Sequence, residues 1–193
     1  MNQIQLDFQK TALVLIDLQK GIVRMSQGQG VVQKAAALVE RFRQHNGFIA
    51  FVNVDFHDGK DRLAPATDLQ QGQSAPPPAD WAEFVPELGV TAGDYVVTKR
   101  QWGAFFGTDL DLQLRRRGID TIVLCGIATN IGVESTAREA FQLGYNQLFI
   151  SDAMKTTSQE EHEATCNYIF PRIGKVRTAE QFLSDTGGSG DFA

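Results

Sequence analysis

The 193-residue sequence has little cysteine and histidine, and this shortage excludes several classes of protein. Two cysteines cannot form the disulfide framework of a small secreted domain, and no CxxC or Cys/His spacing indicates a structural zinc site. No stretch reaches the ~20 apolar residues of a membrane span, and the N-terminus lacks a basic segment followed by an unbroken apolar run. We therefore predict a soluble, cytoplasmic protein without a membrane partner.

Positive charge is also in short supply, with 18 Lys and Arg against 23 Asp and Glu and a net charge of -5. This balance provides no broad basic surface, so we predict no nucleic-acid partner. The one dense cationic cluster, at residues 115–117, precedes Gly118 and is most simply the last turn of a helix. The length suits one domain, which we place at residues 1–186, followed by a flexible tail of small and polar residues at 187–193.

Apolar runs and helix-like segments alternate along the chain, which is typical of an α/β protein. Strands are predicted at residues 12–16, 48–54, 95–98, 121–125, 147–150 and 175–177. Helices are predicted at residues 31–45, 110–117, 132–143, 159–170 and 179–184. This alternation requires right-handed crossovers, and it predicts a mostly parallel sheet of about six strands with helices on both faces.

One segment, residues 55–94, has weak periodicity and contains most of the prolines. Its middle, residues 70–80, is either a cover over a functional site or an irregular excursion. Asp55, His57 and Asp58 lie at its start, as in some metal sites. No second histidine follows in the loop, so we interpret these three as solvated turn residues and predict no metal.

Polar residues follow two predicted strands at the edge where an open parallel sheet binds ligands. Asp17 directly follows the first strand, and Lys99 ends the third. If these strands are neighbours, the carboxylate and the ammonium converge on one cleft, a pairing suited to proton transfer. Burial raises the pKa of such an acid, and a nearby cation lowers it. The alternative is a salt bridge or a helix cap that only stabilises the fold.

The segment GIATNIG, residues 126–132, places small residues where a strand ends and a helix begins. Its backbone N–H groups could bind an anion or a developing oxyanion. The alternative is that Thr129 and Asn130 are ordinary helix caps. Cys125, in the apolar run just before, and Cys166, within a helix, are interpreted as small core residues.

Three aromatic residues, Trp102, Phe105 and Phe106, follow closely after Lys99. Aromatic side chains serve equally well in pockets, cores and subunit interfaces. Three interpretations therefore stay open for these residues: they line an apolar pocket, they pack in the core, or they contact another subunit.

At this point the sequence resembles the isochorismatase-like hydrolases, or cysteine hydrolase superfamily, and in particular their YecD-like bacterial members. The resemblance is carried by ALVLIDLQ at residues 12–19, by the long block VVTKRQWGAFFG to FQLGY at residues 96–145, and by SDAM at residues 151–154. It implies a three-layer α/β/α sandwich around a six-stranded parallel, Rossmann-like sheet. It also implies a homodimer or homotetramer, and no cofactor is predicted.

The resemblance further implies where a catalytic site lies. In the amidase members an aspartate, a lysine and a cysteine form a triad, and here Asp17, Lys99 and Gly132 fall on the three positions. The family also has a cis peptide bond, which maps to Ile127-Ala128. Its oxyanion donors map to the backbone N–H groups of Ala128 and Gly132.

The glycine restricts the chemistry that we expect. Gly132 has no side chain that could attack an amide, so an acyl-cysteine amidase is not expected. Isochorismatases of this family also lack the cysteine. We therefore expect a hydrolase in which Asp17 is a general acid on a small anionic substrate, with hydrolysis of a vinyl ether of the isochorismate type as one form. In this hypothesis Lys99 and Arg100 hold the anionic groups, and Gly132 leaves room for them.

Two alternatives remain open beside acid catalysis. In the first, the protein is a catalytically reduced family member that binds a small carboxylate or a protein partner without turnover. In the second, Thr129 or Ser135 supplies a substitute nucleophile. The remaining predicted substrate-binding residues are Gln19, Trp102, Phe105, Ala128 and Asn130.

Overall fold

The computed structural model describes residues 5–68 and 77–187. Residues 70–76 of the predicted cover loop lie outside these ranges, as do residues 188–193 of the predicted tail. The domain boundary and the tail therefore stay predictions. Within the described ranges, every helix is too short or too polar to cross a membrane.

A parallel sheet of six strands forms the middle layer, in the order β3-β2-β1-β4-β5-β6. The strands are β1 Thr11–Ile16, β2 Phe48–Val54, β3 Tyr95–Lys99, β4 Thr121–Ile127, β5 Asn146–Lys155 and β6 Lys175–Arg177. The predicted α/β class with a six-stranded, Rossmann-like parallel sheet is confirmed. The strand order reverses between β1 and β4, which is where open α/β sheets bind ligands.

Seven helices among the described residues cover the two faces of this sheet. They are α1 Lys20–Ser26, α2 Gln29–Gln44, α3 Leu110–Arg116, α4 Glu134–Gln142, α5 Gln159–Ala164, α6 Phe170–Ile173 and α7 Ala179–Thr186. Two π-helical turns, Thr129–Val133 and Thr165–Ile169, directly precede α4 and α6. Two short 3-10 helices lie at Phe8–Lys10 and Pro86–Leu88.

Successive side chains of a β-strand point to opposite faces of the sheet, so each central strand contributes to both cores. Leu13 and Leu15 of β1 belong to one buried cluster, together with residues of α2 and α7. Val14 and Ile16 belong to a second cluster, together with residues of α3 and α4. The continuous apolar run of β1 is therefore buried on both sides, and the molecule has the predicted three layers.

The structure differs from the predicted elements at three places. Helix α1 was not predicted, because it buries only Val23 and so shows no apolar periodicity. Strand β5 runs on from the predicted end at Ile150 to Lys155. The helices predicted at residues 132–143 and 159–170 contain or follow π-helical turns, which sequence periodicity does not distinguish from α-helix.

Candidate active site

The ends of β1 and β4 approach each other closely at the point where the strand order reverses. Asp17 follows β1 in the left-handed region with φ 54°, a conformation that is uncommon for a residue with a Cβ. Gly126, near the end of β4, has φ 128°, and a Cβ there would lie 2.1 Å from the carbonyl oxygen of Ile16. Only glycine allows this approach, which brings the turn after β4 beside Asp17.

Asp17 and Lys99 form a buried ion pair at this edge. The Lys99 Nζ lies 2.7 Å from the Asp17 Oδ2, and the two side chains are only 2% and 7% exposed. Their strands are not neighbours, because β2 lies between β1 and β3. Strands are about 4.8 Å apart, so the long lysine side chain reaches across the end of β2 to the acid. The carboxylate and the ammonium therefore converge although the condition that we set for it, adjacent strands, is not met.

The ammonium group of Lys99 is fully used within the protein. It donates to the Asp17 Oδ2, to the Gln101 carbonyl oxygen at 3.2 Å and to the Trp102 carbonyl oxygen at 2.9 Å. An ammonium group has three N–H donors, so none remains for a substrate. The prediction that Lys99 holds a substrate anion is corrected on this ground, because its partners are the acid and the loop that follows β3.

The carboxyl group of Asp17 has a raised pKa and an unequal environment for its two oxygens. Burial raises its pKa from 3.8 to about 6, although the charge and the hydrogen bond of Lys99 lower it. The Oδ1 atom is buried and has no hydrogen-bond partner, whereas Oδ2 accepts from Lys99. Oδ1 is thus the oxygen that can carry a proton without breaking the ion pair.

Gly132 lies directly against this carboxyl group. A Cβ at this position would lie 3.1 Å from the Asp17 Oδ2 and 3.0 Å from the Ile16 Cγ2, which is tighter than ordinary van der Waals contact. The peptide bond between Ile127 and Ala128, at the start of the same turn, is cis. The missing side chain therefore leaves room beside the acid, and a larger residue would press on it.

A cavity of about 590 Å³ opens over these residues. Its walls are mostly apolar, and its charged lining residues are Asp17, Arg62, Lys99 and Arg100. Ala128, Gly132 and Trp102 line it as well, so the structure brings these predicted site residues together in one cavity. A concave, apolar site with a few convergent charges is typical of a small-molecule pocket.

Two arginines supply the positive charge at the cavity. The Arg100 Nε lies 2.8 Å from the Asp61 Oδ2, and the pKa of Asp61 is lowered, first by a hydrogen bond from the His57 backbone N–H and also by Arg100. The Arg62 guanidinium lies over the Phe56 ring, 4.5 Å from its centroid. Sequence reasoning missed Arg62, because it lies in the segment without periodicity, where no pattern marks a site residue.

Three predicted substrate-binding residues support the walls and do not line the cavity. The Gln19 side chain donates to the Val54 carbonyl oxygen at 3.0 Å and accepts from the Val54 N–H at 2.8 Å. Phe105 is buried in the core. The Asn130 Oδ1 accepts a hydrogen bond from the Thr156 hydroxyl at 2.6 Å. Gln19 and Asn130 therefore use their amide groups to hold neighbouring segments.

The polar cluster after β2 forms local turn contacts. The Asp55 Oδ1 accepts from the Phe56 N–H at 2.8 Å, and the Asp58 Oδ1 accepts from the Lys60 N–H at 3.0 Å. Within residues 5–68 and 77–187, no group of three or more His, Cys, Asp or Glu side chains is arranged to hold a metal ion.

Known proteins match this chain over nearly its whole length. Isochorismatase family protein YwoC of Bacillus subtilis strain 168 is 74% identical over 184 residues, which cover 95% of this chain and 97% of YwoC. Isochorismatase family protein YecD of Escherichia coli O157:H7 is 46% identical over 190 residues, which cover 94% and 98%.

Solved structures match the fold as well. An isochorismatase family protein from Burkholderia thailandensis superposes with a TM-score of 0.89 at 45% identity, covering 97% of this chain and 100% of that one. N-carbamoylsarcosine amidase from Thermoplasma acidophilum superposes with a TM-score of 0.72 at 26% identity, covering 89% and 97%. The family model described as the isochorismatase domain matches residues 11–181. The resemblance is confirmed, and the chain belongs to the isochorismatase family of hydrolases.

Proposed function

We propose that this protein hydrolyses a small anionic substrate by general acid catalysis from Asp17, with a vinyl ether of the isochorismate type as the substrate class. One observation carries the proposal. A buried carboxyl group with a pKa of about 6 lines the cavity beside Gly132. By the resemblance, Gly132 is at the position where the amidases of the family have their cysteine. A catalytic acid is most effective when its pKa lies near the working pH.

The reaction needs an acid and water but no thiol. Asp17 transfers its proton to the terminal carbon of the vinyl ether, which leaves an oxocarbenium ion next to the new aspartate carboxylate. A water molecule adds to the cationic carbon and returns one proton to Asp17. The resulting hemiketal breaks its carbon–oxygen bond to give pyruvate and an alcohol, so that one water is consumed and the acid is regenerated.

Lys99 sets the strength of the acid in this scheme. Its ammonium lowers the pKa of Asp17, although burial has the larger effect and the net shift is upward. When Asp17 loses its proton, the same ammonium stabilises the new carboxylate through the 2.7 Å contact. Because Lys99 is held by three acceptors before the reaction, it needs no reorganisation when the charge develops.

Arg62 and Arg100 are the groups that we assign to the substrate's carboxylate. Arg62 has its guanidinium plane on Phe56, an arrangement that leaves the N–H edges available. Arg100 is fixed through Nε by Asp61 and through one terminal nitrogen by the Lys99 carbonyl oxygen at 3.5 Å, which leaves its other terminal nitrogen to bind an anion. An arginine fork binds a carboxylate through paired hydrogen bonds, so this wall of the cavity favours an acidic substrate.

The substitute nucleophiles considered from the sequence are placed poorly for such a role. Thr129 is fully buried and does not line the cavity, and Ser135 lies outside the lining as well. Cys125 is fully buried in the core, and burial raises the pKa of its thiol to about 12. A thiol of this kind is not a nucleophile at neutral pH.

The direct test is to incubate the protein with isochorismate and with a panel of primary amides, and to measure pyruvate and ammonia. The proposal predicts pyruvate release that Asp17→Asn abolishes. Saturable binding of isochorismate without turnover would instead support the alternative, a catalytically reduced binding protein. The homodimer or homotetramer stays a prediction, and sedimentation of the same preparation tests it.

A second test restores the missing thiol as Gly132→Cys. Release of ammonia from an amide by this variant, but not by Gly132→Ser, would show that the rest of the amidase machinery is intact. The new Cβ must displace the Asp17 carboxylate or the Ile16 side chain by a few tenths of an ångström. Vinyl ether hydrolysis should therefore fall in the same variant, because the acid is moved.

A further inference from the structure

The turn that carries Ala128 and Gly132 has a second side, which faces away from the cavity. Thr129 of this turn is fully buried, and its hydroxyl oxygen lies 2.8 Å from the Nδ1 of His162 on α5. The His162 Nε2 lies 3.6 Å from the Sγ of Cys166. A chain of three polar side chains therefore begins at the turn, and none of the three lines the cavity.

The proton arrangement within this chain follows from its donors and acceptors. Burial lowers the pKa of His162, so the imidazole is neutral at neutral pH. If the Thr129 hydroxyl donates to Nδ1, the hydrogen on Nε2 points to the Cys166 sulfur, and only a weak thiol donor is left over. The reverse arrangement leaves the buried Thr129 hydroxyl hydrogen without an acceptor in this chain. Nδ1 is thus the acceptor, and Thr129 is the donor.

Two further hydrogen bonds join Asn130 of the turn, and Glu134 just after it, to neighbouring segments. The Thr156 hydroxyl donates to the Asn130 Oδ1 at 2.6 Å, and the Thr165 hydroxyl donates to the Glu134 Oε2 at 2.8 Å. The π-helical turn Thr129–Val133 is a wider backbone form that is rare and often marks functional sites. The contact between Thr129 and His162 is the one that holds the residue next to Ala128.

We propose that His162 is a positioning residue, which holds the site turn of residues 128–132 against Asp17 through its hydrogen bond with Thr129. The inference rests on the proposed function in one respect, namely that Asp17 and Gly132 form the reactive part of the site. Gly132 lies so close to the buried Asp17 carboxyl group that a Cβ on the glycine would be 3.1 Å from Oδ2. Release of the turn from behind opens this contact to water.

Two variants separate the nitrogen that holds the turn from the one that does not. In His162→Asn the amide group takes the position of Nδ1 and can accept from Thr129. In His162→Gln the amide takes the position of Nε2 and loses that contact. Both replacements are neutral and polar, so each is the matched control of the other. The proposal predicts wild-type behaviour for His162→Asn and a displaced turn in His162→Gln.

The readout is the pKa of Asp17, measured by carbon-13 NMR of its carboxyl carbon. In His162→Gln we expect the pKa to fall toward 3.8 as water reaches the acid, and in His162→Asn to stay at the wild-type value of about 6. Thr129→Val should act like His162→Gln, and the double variant should shift no further than either single one. An unchanged Asp17 pKa in folded His162→Gln would overturn the proposal.

Turnover gives a second and separate readout. With isochorismate, His162→Gln should lower kcat about tenfold and shift the pH midpoint of kcat downward, while KM stays within about twofold. A loss of folded protein would lower kcat equally at every pH, so the shifted midpoint distinguishes positioning from stability. If the wild-type protein turns over no vinyl ether, the proposed function fails, whereas the NMR measurement still decides the role of His162.

Discussion

Tyr95 and Lys99 stand at opposite ends of strand β3, and each donates a hydrogen bond of 2.7 Å to an aspartate. At the amino end, the hydrogen bond from the Tyr95 hydroxyl lowers the pKa of the exposed Asp109. At the carboxyl end, burial raises the pKa of Asp17 to about 6, against the effect of Lys99. The donor at the carboxyl end even carries a full positive charge, yet its aspartate is the weaker acid.

The two pairs differ in their exposure to water. Water around Asp109 stabilises its carboxylate, so a donor only adds to a charge that already exists. Asp17 has lost that water, and one ammonium does not replace it, because the second oxygen of the carboxylate has no partner. Sheet geometry explains why the two aspartates differ in exposure. At the carboxyl edge, where the strand order reverses between β1 and β4, the turn after β4 covers Asp17, whereas Asp109 stays at the surface.

Replacement of each aspartate by asparagine should give the largest difference in activity between the two ends of β3. Asp17→Asn removes the acid at constant size, and we expect kcat/KM for vinyl ether hydrolysis to fall by about 1,000-fold, the middle of the range for a general acid. Asp109→Asn, with the same change at the other end of β3, should stay within about twofold of the wild type. Initial rates of pyruvate release measure both variants, and equal losses would contradict the comparison.

Replacement of the two donors should differ in stability. Lys99→Met leaves Asp17 buried without its cation, and we expect the free energy of unfolding to fall by about 3 kcal/mol at pH 8. The native protein then keeps a proton that the unfolded chain releases above its pKa of 3.8, so the variant loses stability as the pH rises from 4 to 8.

Tyr95→Phe is the matched control for this variant. It removes one exposed hydrogen bond and should cost no more than about 1 kcal/mol. Urea unfolding of both variants at pH 5 and pH 8 measures the difference. A pH-independent loss in Lys99→Met would contradict the assignment of the effect to Asp17.

The pH profile of the wild-type enzyme tests the raised pKa through activity. Asp17 must be protonated to act as the acid, and its protonated fraction is about one-half at pH 6 and about one-tenth at pH 7. The rate should therefore be highest below pH 6, fall about fivefold between pH 6 and pH 7, and fall about tenfold per pH unit above pH 7. A rate that rises with pH between 5 and 8 would indicate that Asp17 acts as a base or not at all.

Addition of a single methyl group beside the acid should have the smallest of these effects. In Gly132→Ala the Cβ lies 3.1 Å from the Asp17 Oδ2, so the carboxyl group must shift, and we expect kcat to fall about tenfold. Gly30→Ala is the control, because a Cβ at this position of α2 meets nothing within 4 Å. That variant should keep its activity and gain slightly in stability through helix propensity.

Much of the fold could be predicted from the sequence, because six apolar or β-rich runs alternated with helical segments. Buried strands need continuous apolar residues, so β1 and β2 were recognisable locally. Helix α1 was not, since only one of its residues is buried and a glycine interrupts it. The position of β3 beyond β2, two strands away from β1, depends on long-range packing that no local pattern encodes.

The candidate site shows the same division. Asp17, Lys99 and Gly132 could be located because each follows a strand end and matches a family position. Arg62 could not, because its segment has no periodicity and its place at the cavity depends on its stacking over Phe56. Gln19 lies only two residues after Asp17, yet its amide binds the backbone of β2, and only the folded geometry distinguishes these two uses.

The most direct test of the account is the pKa of Asp17 in the folded protein, measured by carbon-13 NMR and assigned by the loss of its signal in Asp17→Asn. Titration of Asp109 in the same spectra provides the internal reference. Burial at the carboxyl edge predicts a midpoint of about 6 for Asp17 and one below 3.8 for Asp109. A midpoint for Asp17 at or below its ordinary value would show that Lys99 outweighs burial, and it would contradict the assignment of Asp17 as a general acid.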